Sequence, residues 1–197
     1  MIRVFTRHKL LSAVFAISLC ITTTNFACNP STWLSVIGQY LPVAIQIAQA
    51  IASLVPIFSP SASAVDQTAV TNIGNEAVKD FQLLQSLYRQ YQAKPESGTK
   101  AEIENVLSTI VSNLPAELAA AHIKDQVLLD KVTASVNILL SVVDVIIAAM
   151  PVKNPVLSAR KSQATKKAAA LRTPMGVKAE WDHAVCQENS ACTVLVH

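Results

Sequence analysis

The residues best equipped for chemistry lie near the C-terminus, where Cys186 and Cys192 stand with five residues between them in VCQENSACTV. In an oxidising compartment such a pair most simply forms a disulfide closing a small loop. His183 and His197 flank it, so a His2Cys2 zinc set is the competing chemistry, but the spacing matches no common zinc pattern. We therefore expect the disulfide and no metal. Flanking runs 180–185 and 193–196 suggest a short hairpin across the bridge. Other chemistry-bearing residues are isolated. His122 lies among alanines, and Asp144 is the lone acid of an apolar stretch. A glycine-rich phosphate loop, a G-x-S-x-G elbow and an H-E-x-x-H pair are all missing from the sequence, so no catalytic residue and no cofactor is expected and the chain does not read as an enzyme.

A third cysteine, Cys28, ends a different kind of segment. Arg3, Arg7 and Lys9 form a basic leader, Leu10–Cys20 is apolar, and Ile21–Ala27 turns polar and ends on a small residue. This order is that of a secretory signal over residues 1–27, to be excluded from fold reasoning. Ala27-Cys28 followed by Asn29 resembles the end of a bacterial lipoprotein signal, in which the cysteine is acylated and becomes the new N-terminus. Asn25 stands where such signals usually carry leucine, and cleavage after Ala27 without lipid is the alternative. The resemblance implies export to a bacterial cell envelope, with Cys28 as the lipidation site and two acyl chains for stable anchoring.

The elements that must carry these residues are helical. Hydrophobic residues make up 51% of the 197, but aromatics only 5%, and glycines number four. Aliphatic side chains without aromatics or glycine favour packed helices over a sheet sandwich, and the length suits one domain. We expect an all-α fold, roughly a four-helix antiparallel bundle with a basic C-terminal tail and a small disulfide-closed loop.

No charged side chain occurs from Leu10 to Val65. Within that span residues 28–58 form an amphipathic helix whose polar face carries amides. Trp33, Ile37, Tyr40, Ala44, Ile47, Ile51 and Val55 recur at three- and four-residue steps, opposed by Ser35, Gln39, Pro42, Gln46, Gln49 and Ser53. Asn29 should cap it, Pro42 should kink or split it, and Pro56 with Pro60 should end it. It can pack in the bundle, lie in a membrane interface, or span a bilayer; the bundle is the leading reading, with Trp33 and Tyr40 as candidate membrane or partner contacts.

Residues 59–152 form the body. Ser63 and Asp66 suggest a capping box opening a helix to about Gln92. Thr99 and Glu102 suggest a second box, followed by the stripe Ile103, Val106, Leu107, Ile110, Val111 and Leu114. Pro115 fits the first position of a long last helix ending near Met150. On that helix Asp130, Thr133, Asn137, Ser141 and Asp144 line up as one wet edge.

Charge divides the body from the tail. Residues 66–152 hold ten acids and six bases, whereas 153–197 hold seven bases and three acids. Lys153 to Lys178 contains no acid, so Lys161, Lys166 and Lys167 are candidate contacts for an anionic membrane surface. Without interleaved aromatics the stretch does not suit nucleic acid. The simplest alternative is that this arm folds back on the acidic body. A protein partner cannot be named from sequence. The functional expectation is an exported, lipid-anchored cell-envelope protein of structural or interaction type; the alternative is a small membrane-inserting or pore-type helical protein.

Overall fold

The computed structural model describes residues 30–167, 173–187 and 189–196. The signal-like segment 1–27, Cys28 and the proposed Asn29 cap lie outside them. The chain divides into the units Met1–Thr32 and Trp33–His197, and of the first only Pro30–Thr32, the opening turn of a helix, is described.

Six main helices follow one another: α1 Pro30–Phe58, α2 Ala64–Ala93, α3 Ser97–Ala120, α4 Gln126–Ala149, α5 Pro155–Lys167 and α6 Pro174–Trp181. A π-helical turn Asp182–Cys186, the short helix α7 Ser190–Thr193 and a 3-10 turn Val194–Val196 complete the described chain. No strand occurs among the described residues. The expected all-α bundle is what the chain forms.

α1 is a core helix in which Trp33, Ile37, Leu41, Ala44, Ile47, Ala48, Ile51 and Leu54 are buried. Its exposed residues are Thr32, Ser35, Gln39, Pro42, Gln49 and Pro56, a single narrow edge. Both internal prolines lie on that edge, where water can reach the carbonyls that lose their partners, so Pro42 does not split the helix. α2 runs back along α1. Trp33 meets Tyr91 with ring centroids 5.1 Å apart, Gly38 faces the Tyr88 hydroxyl, and Gly74 lies against the α1 backbone at Ala48–Ala52. Closeness at 33–91, 38–88 and 48–74 is the signature of an antiparallel pair.

Ser63 caps α2 by accepting from the Asp66 N–H at 3.1 Å, as the sequence suggests. The reciprocal half of the box does not form. The Asp66 carboxylate instead accepts the Lys124 N–H at 3.0 Å, tying the start of α2 to the α3–α4 loop. Thr99 is not a cap either: α3 already starts at Ser97, with Glu96 at its N-cap position making no side-chain cap bond.

Pro115 does not start the last helix but lies within α3. It is exposed, so water can satisfy the carbonyl that the missing N–H leaves behind. α3 stops later, where His122 adopts a left-handed conformation (φ 46°). Asp125 then caps α4, accepting the Leu128 N–H at 3.0 Å. Its other oxygen accepts the Ser59 hydroxyl, which joins the end of α1 to the start of α4.

α4 is buried on almost every side from Ile138 to Ile147. The wet edge expected along it persists only in its first half, at Asp130 and Asn137. Ser141 and Asp144 are covered, because the tail folds back and α5, α6 and the π-helical turn pack onto α4.

Candidate functional site

Cys186 and Cys192 are bonded, with Cα atoms 5.3 Å apart, and both are fully buried. The flanking segments are helical, so the expected hairpin is replaced by the π-helical turn and α7. The reason is local: Gln187 takes a left-handed conformation (φ 47°) that ends the turn, and the Asn189 side chain caps α7 by accepting the Ala191 N–H. Six residues of separation then suffice for the bridge without strands. His183 stands beside Asp182, Gln187 and Thr193 around a surface hollow. Among the described residues no cluster of three or more metal-ligating side chains occurs, and the bond between the two sulfurs takes both thiolates from any zinc set.

Trp33 and Tyr40 are each only 3% exposed. Both aromatic rings face the chain's own core, and burial raises the Tyr40 phenol above its ordinary range. Lys161, on α5, donates to the Met150 carbonyl at the end of α4. Lys166 and Lys167 fall in the last turn of α5, and their side chains lie outside the described residues, as does Cys28, the expected lipidation site.

Three carboxylates that sequence reading had not singled out, or had left without a partner, organise the tail and one side of the body. Glu104, buried on α3, accepts the backbone N–H groups of Lys153 (2.9 Å) and Asn154 (2.8 Å) and the Lys100 ammonium (2.7 Å). Asn154 in turn caps α5 through the Val156 N–H at 2.9 Å. Burial pushes the Glu104 carboxyl up, but the hydrogen bonds from Lys100, Lys153 and Asn154 outweigh it and hold the group below its ordinary value. Lys100 also donates to the Pro151 carbonyl. The exit of α4 and the entry of α5 are therefore fastened to the start of α3 by one acid.

Asp144 is the second. It is 5% exposed and receives Arg160 of α5 in a two-point contact, Nε to Oδ1 at 2.5 Å and NH2 to Oδ2 at 3.3 Å. A paired guanidinium suits a buried carboxylate because it satisfies both oxygens at once. The basic arm thus does fold onto the acidic body, through Arg160 and Lys161.

The third is Glu117, near the end of α3. It lines a groove with Glu76 of α2, with a cavity volume of about 910 Å3, whose other lining residues are aliphatic apart from Thr68 and Asn72. Burial raises the Glu117 carboxyl above its ordinary value, and the nearby charges of Glu76 and Asp80 add to the effect. The signal was present in the sequence: three residues beyond Leu114, the apolar stripe of α3 lands on a glutamate.

No family model, curated protein or solved structure matches this chain. What the protein does has to be argued from its own residues.

Proposed function

We propose that the chain is an exported, lipid-anchored protein of the bacterial cell envelope, acting through binding or structure and not catalysis. The observation that carries the reading is a division of labour along the chain. The basic, apolar and small-residue zones of 1–27 end at Cys28, whereas the body beyond them hides its own apolar helices. Thr32–Phe58 and Gln126–Ala149 are both long and apolar enough to cross a membrane. Yet most of their large side chains are buried in the chain's own core, and Asp144 within α4 is matched by Arg160. A body with its greasy faces covered needs a separate tether to stay at a membrane, and two acyl chains on one cysteine supply that. The disulfide agrees with an oxidising compartment.

The test is Cys28→Ala. After carbonate extraction the wild type should stay with the membrane pellet and the variant should leave it. Intact mass of the wild type should show loss of residues 1–27 and the mass of acyl chains. Retention of Cys28→Ala in the pellet would refute the anchor. The same retention favours the second reading, a membrane-inserting helical protein, for which the length and apolarity of α1 and α4 speak.

A further inference from the structure

The two ends of the bundle differ in chemistry. Trp33 of α1 meets Tyr91 near the end of α2, and Glu104 near the start of α3 holds Lys153 and Asn154 just after α4. These contacts gather the start of α1, the α2–α3 turn and the α4–α5 turn at one end. The other end carries the α1–α2 and α3–α4 turns, joined through Ser59 with Asp125 and Asp66 with Lys124. The 30 residues of α2 keep the two ends about 45 Å apart.

Three observations fit the first end to a lipid surface. The first is the reach of the chain. Cys28 precedes Trp33 by five residues, which extend at most about 18 Å. The second is a pair of half-exposed tyrosines, Tyr88 and Tyr91, on the last turns of α2. Tyrosine concentrates at headgroup level, where its ring is shielded and its hydroxyl stays wet. The third is charge. At this end the exposed bases Arg89, Lys94 and Lys153 outnumber the exposed acids Glu96 and Glu102. Lys94 pairs with Glu96 at 2.6 Å, but both are exposed, and such a pair holds weakly against competing anions. At the other end Lys124 stands against Glu117, Asp125 and Asp130, so an anionic surface would repel it. Val65 and Val127 do leave apolar surface there, so both ends must be probed.

We propose that the end formed by the α1 start, the α2–α3 turn and the α4–α5 turn rests on an anionic lipid surface. Lys94 and Lys153 meet headgroup phosphates, Tyr88 and Tyr91 lie beside them, and the turns at 59–63 and 121–125 face away from the membrane. This orientation rests on the acylation of Cys28 proposed above.

The experiment places the processed, acylated chain in phosphatidylcholine vesicles with and without phosphatidylglycerol. Cys186 and Cys192 are bonded and acylation occupies Cys28, so Ser97→Cys and Ser61→Cys each add one reactive thiol at an exposed position, one at each end. A fluorophore on that thiol is quenched at close range by lipids with nitroxide headgroups. Quenching should be strong at 97 and weak at 61, and phosphatidylglycerol should widen the contrast. Lys94→Gln with Lys153→Gln should cancel much of that widening, each lysine near an anionic surface being worth about a fivefold preference. Acylated protein quenched equally at both positions, or more at 61, would overturn the orientation and leave the anchor intact. A contrast indifferent to both lysines would overturn the headgroup contact. An intact mass without acyl chains would remove the anchor and the orientation together.

Discussion

Substituting Gly74 tests whether α1 is truly a core helix. A Cβ at this position would stand 3.3 Å from the Ala48 carbonyl oxygen and the Ala52 nitrogen and 3.4 Å from the Ile51 Cβ. Two of those neighbours are backbone, which cannot swing aside. Gly74→Ala sets this tight contact against a gain in helix propensity of about 0.8–1 kcal/mol, so its net effect should be small. Gly74→Leu adds three further carbons that must enter the α1 backbone. Overpacking of this kind costs about 1–3 kcal/mol; after the propensity gain the net loss should be about 0–2 kcal/mol. For a chain of this size that is a fall in Tm of up to about 8 °C. Two controls bracket it. Gly98 has nothing within 4 Å, so Gly98→Ala should be neutral or stabilise by about 0.4–1 kcal/mol. At Gly38 the intruding atom is the Tyr88 hydroxyl, 2.6 Å away at the tip of a side chain. Gly38→Ala should therefore displace Tyr88 from its Gln92 hydrogen bond at less cost than Gly74→Leu. Thermal unfolding followed by far-UV circular dichroism reads all four. If Gly74→Leu raises Tm, as a helix that has left α2 would allow, the packing of α1 against α2 is wrong.

Other expectations follow from the charged groups. Arg160→Met strands Asp144, 7% exposed in its side chain, and should cost about 2–3 kcal/mol in urea unfolding, with much of this recovered in the double variant with Asp144→Leu. Glu104 sits below its ordinary value of 4.5, so its contribution is present above that value and fades as pH falls through the lowered one. Glu104→Gln should destabilise at neutral pH and lose its effect in acid, where wild type is itself weakened. Glu117 is raised, so the sign reverses: its ionisation weighs against the fold as pH rises, and Glu117→Gln should raise Tm at pH 7 but little at pH 4. Lys131 is buried with Nζ unpaired, 4.9 Å from the Phe58 ring centroid, and burial lowers its pKa. Lys131→Met should stabilise by about 1 kcal/mol at pH 7, since a buried ammonium without a hydrogen-bond partner costs several kcal/mol, more than the roughly 2 kcal/mol that a desolvated cation–π contact returns. That gain should shrink toward the ordinary lysine range as wild type sheds the proton, and a loss of stability at pH 7 would contradict it.

Where the signal was local, reading the chain sufficed. The stripe from Ile103 to Leu114 is buried as its spacing requires, Ser63 caps α2, and the two C-terminal cysteines are bonded. Misreadings occurred where a residue's effect depends on its exposure. Pro115 and Pro42 lie on water-facing edges, so neither breaks its helix. The real stop of α3, His122 in a left-handed conformation, follows from the chain having to turn there and carries no glycine to announce it. Asp125 was a readable cap that Pro115 overshadowed.

Long-range pairings had no sequence signature. Glu104 meets backbone amides about 50 residues on, and Asp144 meets an arginine on the next helix. Periodicity dictates that α1 and α4 each have a face to hide, because apolar area is driven from water wherever it lies along the chain. That drive has no direction, and lipid or protein satisfies it equally. The close approach at Gly74, the pairing of Asp144 by Arg160 and the tail laid over α4 are what turn those faces inward, and each is a contact between segments that only the folded chain brings together.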